Sequence, residues 1–324
     1  MKNLLYYPYI NLAENDWFTK AILYSDEVNI IIPDSFAWNP NSIRPFTREL
    51  VKSEIVKQAI PYNYNINFEA LENTLLKIVQ SEEFEIDNKR ANLSLGNFDK
   101  IHDDKFANEI FLKLYDLGLA HGTGSKWHAV ETTTSRILMW LLATAISTLN
   151  NWNPSTDENF YFSNRFYKNF KGYKKEQLRQ TILNEVLPIP KNPDYKKLHR
   201  FKISNIEKLG LFRDELEKTI QLISKIEDNE ERVSQAQILK DNLKEQVEEL
   251  TAKLNESKLG EVVKSIFGTA VITGGSMWYF DTITPIVGGT ISGTLAGIKT
   301  YRTNPIEGES LEYVALLNRM NDDS

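Results

Sequence analysis

The 324-residue sequence contains no cysteine. That absence excludes disulfides, thiolate zinc sites and cysteine nucleophiles together. Only four histidines are present, so a metal centre built from imidazoles alone has little material. No G-x-S-x-G elbow, no G-x-G-x-x-G behind the first strand and no H-E-x-x-H occurs. The common signatures of serine hydrolases, dinucleotide enzymes and zinc proteases are therefore missing. A positive balance is missing too: 38 Lys and Arg against 44 Asp and Glu leave a net charge of −6. Such a chain does not coat nucleic acid as a whole, although local basic patches remain open to it. The first residues, "MKNLLYYPYINLAENDW", hold only a short apolar run before acids begin, unlike a secretory signal, so a cytoplasmic location is expected.

What remains is ordinary globular material, with 41% hydrophobic and 25% charged residues. The length suffices for two or three modules, each with its own core. "NLLYYPYI" reads as a strand, and Pro8 assigns it to an edge or a bulge. Glu14, Asn15 and Asp16 open a helix with Trp17, Ala21, Ile22 and Tyr24 on its apolar side, and "VNIIIP" follows as a buried strand. Strand, helix and strand in this order form a βαβ unit with parallel strands. Helical patterns recur at 46–58, 67–81 and 103–117, "KWHAV" at 126–130 reads as a strand, and 131–151 as a buried core helix. Residues 1–150 are thus an α/β module.

The remainder reads as mainly α-helical. A helical linker region, 151–200, contains "NEVLPIPKNPDY", whose prolines end one helix and steer the chain into the next. In 201–258, Ile206, Leu209, Leu216, Ile220 and Ile223 follow helical spacing, interrupted by Arg213, and Leu243, Val247, Leu250 and Leu254 repeat it. This is a coiled-coil seam in two pieces, either one long helix or a hairpin, suited to self-association or a protein partner. In 259–324, two apolar runs within 265–298 read as a glycine-rich helical hairpin followed by an amphipathic tail. Gly289, Gly293 and Gly297 fall four apart and would share one helix face, permitting close helix packing. Each run covers roughly 25 Å, short of the ~30 Å hydrocarbon core, which favours burial in protein over membrane insertion.

Candidate chemistry is sparse. "HGTGSKWH", 121–128, offers Gly122, Gly124 and Lys126 as a phosphate cradle, but lacks the four-residue glycine spacing and the following helix of a P-loop. His102, Asp103 and Asp104 could begin a metal-assisted hydrolytic site, with His121 and His128 as further candidates. The plainer reading has Asp103 or Asp104 capping a helix near Lys105 and His128 structural. No cofactor and no complete metal ligand set is implied. "RFYKNFKGYKKEQLR" sets Arg165, Lys168, Lys171, Lys174, Lys175 and Arg179 among aromatics, a pattern suited to nucleic acid or another anionic surface. It suits equally a basic amphipathic segment docked on a core.

Five phrases occur in order between residue 4 and about 220: "LLYYPYI", "DWFTKAILYSDEVNIIIP", "KFANEIFLKLYDLGLA", "PSTD" and "ILNEVLPIPKNPDYKKLHRFK". Together they resemble an uncharacterised family of bacterial proteins carrying a domain of unknown function. The resemblance implies a bacterial, cytosolic protein, with phage defence or stress as the associated role, and assigns no activity to any residue. Three functions follow as expectations. The first is an interaction or scaffold protein assembling through its helical half. The second is an enzyme acting on nucleic acid or another phosphate-containing substrate through the α/β module. The third is a membrane-disrupting effector using 265–298.

Overall fold

The apolar runs near the N-terminus form a parallel sheet. Strands β1 (Leu4–Tyr6), β2 (Val28–Ile31), β3 (Val56–Ala59) and β7 (Asn153–Ser155) lie in the order β3-β2-β1-β7, every pair parallel. The computed structural model describes residues 3–158, 173–190, 193–256 and 313–317. The chain divides into two units, Met1–Asp157 and Glu158–Ser324.

In the first unit, helix α1 (Asp16–Tyr24) carries the chain from β1 to β2 and buries every residue from Phe18 to Tyr24. Asn15 starts it, its Oδ1 accepting the Phe18 N–H at 2.9 Å. All four residues of β2 are buried, and the one polar member, Asn29, donates its side-chain amide to the Leu4 carbonyl at 3.2 Å. Two expectations need correction. β1 is an interior strand, because β2 and β7 flank it; it escapes the penalty of Pro8 by ending at Tyr6. Nor is 46–58 one helix. α3 stops at Lys52 (Pro45–Lys52), Glu54 takes a left-handed backbone with φ 56°, and the chain then extends into β3.

Short α2 (Asp34–Trp38), α4 (Phe68–Val79) and α5 (Ile86–Ser94) precede a second, antiparallel sheet. Its strands β4 (Phe98–His102), β5 (Ala120–Gly122) and β6 (Trp127–Glu131) lie in the order β4-β6-β5, with α6 (Asn108–Asp116) between β4 and β5. α7 (Thr132–Asn150) is the expected core helix, with Ile137, Leu138, Leu142 and Ile146 buried. Buried Glu131 caps it, accepting both the N–H and the hydroxyl of Thr134 at 2.8 Å. The chain then returns through left-handed Asn151 to β7, which extends the unit past residue 150. Asp157 closes it: Tyr6 Oη and Asn15 Nδ2 each donate to its carboxylate at 2.9 Å.

The second unit is helical: α8 (Tyr173–Val186), α9 (Tyr195–Ser204), α10 (Ile206–Ile223) and α11 (Asn229–Glu256). Residues 224–228 break the stretch 206–254 into two helices, which decides between the two alternatives left by the sequence. Leu209, Phe212, Leu216, Ile220 and Ile223 of α10 are buried, as are Leu239 and Leu243 of α11, whereas the side chains of Val247, Leu250 and Leu254 lie outside the described residues. Ile206 is exposed. Arg213, the interruption in the stripe, is buried, and its charge acts on the phenol of fully buried Tyr313. Arg179 grips the Glu217 carboxylate with two nitrogens, one at 2.8 Å, so it ties α8 to α10 and is not a free cation of a basic surface. Residues 313–317 are helical, with Val314 and Leu317 buried. Arg165, Lys168, Lys171, the run 265–298 and Gly289, Gly293 and Gly297 lie outside the described residues, as does the side chain of Lys174. Among the described residues no helix is long and apolar enough to cross a membrane.

Leu216 is fully buried, whereas Leu211 on the same helix is 49% exposed. Leu216→Ala is expected to lower unfolding stability of the full chain by about 2–5 kcal/mol. Leu211→Ala should stay within about 0.5 kcal/mol. Urea unfolding followed by circular dichroism measures both.

Candidate functional site

Parallel strands of an open α/β sheet point their carboxyl ends at one edge, where ligands of such sheets bind. In this chain β2 exits at that edge through Pro33 into α2, and β3 exits through Pro61 and Tyr62. The end of β4 meets the same edge. β4 pairs with β6 so that Ile101 faces His128 and His102 faces Trp127, and the Asp103 N–H donates to the Lys126 carbonyl at 2.9 Å. Asp103 to Lys105 then form a tight turn.

His102, Asp103 and Asp104 converge there, with one potential ligand atom from each lying within 4.8 Å of the others. His102 is buried, wedged edge-on against Trp127 and Phe36 at ring distances of 4.9 and 5.4 Å. Its Nδ1 accepts the Asp104 N–H at 3.2 Å, which leaves the ring proton on Nε2. Asp103 Oδ1 lies 3.1 Å from that same nitrogen and Asp104 Oδ2 lies 3.7 Å from it. Asp103 Oδ1 is sealed from solvent and accepts no hydrogen bond. Two acceptor atoms thus face each other with no donor between them, and such a contact is relieved by a proton or a cation. Burial works against the proton: it lowers the His102 pKa, and the pull of Asp104 and Asp103 in the other direction does not overcome it.

The expectation that Asp103 or Asp104 caps the following helix is not met. α6 begins at Asn108 behind Ala107, which offers no side-chain cap, and the His102 ring caps the turn at 103–105. Asp104 instead caps α2 from 69 positions away, its Oδ2 accepting the Ser35 N–H at 3.0 Å. Pro33, at the N-cap position of α2, makes no side-chain cap of its own. Burial pushes the Asp104 carboxyl up, but the Ser35 hydrogen bonds and the His102 charge outweigh it and hold the pKa at about 2. Lys126 Nζ approaches the other oxygen at 3.4 Å. Exposed Tyr62 donates to the Phe106 carbonyl at 3.3 Å. Its phenol pKa is raised by burial and by Asp104, Asp103, Glu109 and Asp34, which marks the edge as acidic.

The other candidates separate. His128 is buried and stacked flat on Phe111 at 3.7 Å, and its Nδ1 meets the Tyr115 hydroxyl. Burial lowers its pKa, with smaller opposed contributions from Asp103 and His102. That is a core histidine beside the cluster. His121 is exposed, packs on Phe98 at 5.8 Å and does not join it. Gly122 and Gly124 belong to a β-hairpin, not to a strand–loop–helix cradle. A side chain at Gly122 would meet the Tyr115 hydroxyl at 3.3 Å, and Gly124 turns the tip with φ +75°. Thr123 directs both its N–H and its hydroxyl at the Trp127 carbonyl, at 3.2 and 2.8 Å.

Sequence reasoning missed Ser35, Tyr62, Trp127 and Lys105. Lys105 is buried with its Nζ 3.9 Å from Met139 Sδ, and burial lowers its pKa from 10.5 to about 7. Between those two values the unfolded chain holds a proton that the folded chain has lost, so Lys105 makes stability rise from pH 7 to 10.5. Asp104 is also shifted downward, but for a carboxyl this favours the charged form. Its contribution is complete above the ordinary carboxylate value of 3.8 and is lost as pH falls through about 2. Lys105→Met is expected to stabilise the protein at pH 7 by roughly 1–3 kcal/mol. It should also flatten the slope of melting temperature against pH across 7–10, as scanning calorimetry at several pH values measures.

No family model, curated protein or solved structure matches this chain, so its function rests on the geometry of this edge.

Proposed function

We propose that the α/β unit is a divalent-cation-binding module that uses His102, Asp103 and Asp104 to engage a phosphate-containing ligand. The observation that supports this reading is the acceptor cluster, with Asp103 Oδ1 and Asp104 Oδ2 at 3.1 and 3.7 Å from His102 Nδ1. An ion at about 2.0–2.2 Å from each atom fits that spacing, and mixed nitrogen and oxygen donors suit Mn²⁺ or Zn²⁺. The ion would take the Nδ1 lone pair from the long Asp104 N–H contact and supply the positive charge that Asp103 Oδ1 lacks. This reading shares with the enzyme alternative the α/β module and a phosphate-containing ligand.

A second reading concerns the helical unit, and a separate observation favours it. Beside the buried residues of α10 and α11, Ile203, Ile206, Leu211, Leu222 and Ile238 remain 41–58% exposed on three successive helices. Exposed aliphatic side chains on these helices would suit a protein partner or a second copy of the chain. The whole protein would then be a bacterial cytosolic scaffold whose ligand-binding unit reports to an assembly, with coiled-coil pairing and a role in phage defence or stress as its finer form.

Titration of the full chain with Mn²⁺, followed by isothermal calorimetry and by loss of the free-ion paramagnetic signal, tests the first reading. Saturable uptake of one ion per chain is expected. Asp103→Asn, which keeps the side-chain shape at a residue 37% exposed, should weaken it by at least tenfold. Absence of saturable uptake, or equal affinity in the variant, overturns the proposal.

A further inference from the structure

Lys126 stands where the bound ion's charge would act. Its Nζ lies 3.4 Å from Asp104 Oδ1, and its side chain is 62% exposed. Its backbone is fixed to the cluster, because its carbonyl accepts the Asp103 N–H at 2.9 Å. The surrounding charge is negative, as Asp34, Asp103, Asp104 and Glu109 all act on Tyr62. An anion arriving at this edge alone would meet repulsion. With a divalent cation in place, Asp104 has a stronger counter-ion than the ammonium and Lys126 is released toward solvent.

We infer that Lys126 is an exchangeable counter-ion, holding Asp104 while the cation is absent and binding the ligand's phosphate group once the cation is present. This deepens the cation-site reading and depends on it. Phosphate is the chemistry that fits, since a tetrahedral dianion can place one oxygen on the metal and another on an ammonium beside it. Ser125, next to Lys126 on the hairpin tip, adds a hydroxyl, within 3.1 Å of Thr123 Oγ1. The exchange requires a fixed order of binding, cation before anion. It also requires each to strengthen the other by the same factor.

The two roles of Lys126 give opposite effects in one variant. In calorimetric titrations of the full chain, Lys126→Gln should bind Mn²⁺ alone several-fold more tightly, because a competing charge has gone. The same variant, loaded with Mn²⁺, should bind sub-millimolar inorganic phosphate at least tenfold more weakly than wild type. Lys126→Arg should retain phosphate binding, and wild type without Mn²⁺ should bind no phosphate. Unchanged or weaker Mn²⁺ binding by Lys126→Gln, or unchanged phosphate affinity, overturns the exchange while leaving the cation site standing. If wild type takes up no Mn²⁺, both fall together.

Discussion

Asp104 links the first unit's two sheets. Its carboxylate receives the Ser35 N–H from the start of α2, at the exit of β2, while its own backbone N–H reaches the ring of His102 at the end of β4. A helix start has backbone N–H groups with no intrahelical acceptor, and a carboxylate placed there satisfies one and meets the positive end of the helix dipole. The capping residue usually sits beside the helix in sequence. Here Pro33 leaves that role vacant and a residue from the other sheet fills it. The same interaction gathers the polar groups: with Asp104 fixed against α2, His102 and Asp103 are brought to the carboxyl edge of the parallel strands.

The neighbours of Asp104 set how much of it is available for chemistry. One oxygen is engaged by Ser35 and the other faces Lys126, so a cation would compete with partners already present. Asp103 has no such engagement at Oδ1. The two adjacent aspartates therefore differ: Asp104 is tied into the fold through Ser35, whereas Asp103 Oδ1 is buried and accepts no hydrogen bond. Lys105, the next residue, turns inward toward Met139. Three consecutive charged side chains thus meet three environments within one tight turn.

Much of the fold was legible because its helices are amphipathic over two turns or more. Asn15 at the start of α1, the helical pattern at 67–81 and the apolar length of α7 each followed from local spacing. The strands were harder. β3 reads "VKQA", whose two polar residues resemble the helix before it, and β7 contains Pro154 within three residues. Tertiary pairing, not local propensity, makes these segments extended. At the candidate site, the sequence presented His102, Asp103 and Asp104 as adjacent letters. It could not present Ser35, which bonds Asp104 across 69 positions, or Tyr62, which bonds the nearby Phe106 carbonyl across 44.

The order of the strands has a consequence for how the protein is made. β1 leaves the ribosome long before β7, one of its two neighbours, and Tyr6 waits for Asp157, 151 positions later. Until β7 emerges, β1 presents a row of unpaired backbone groups on one side, the kind of edge on which a nascent chain pairs wrongly. Contacts this distant in sequence slow folding, because the loop must close before the pairing stabilises it. The first unit therefore completes its sheet only at its last residues. A chain interrupted before Asp157 would carry nearly all of the α/β core and still have an open edge, which makes truncated products of this protein prone to aggregate.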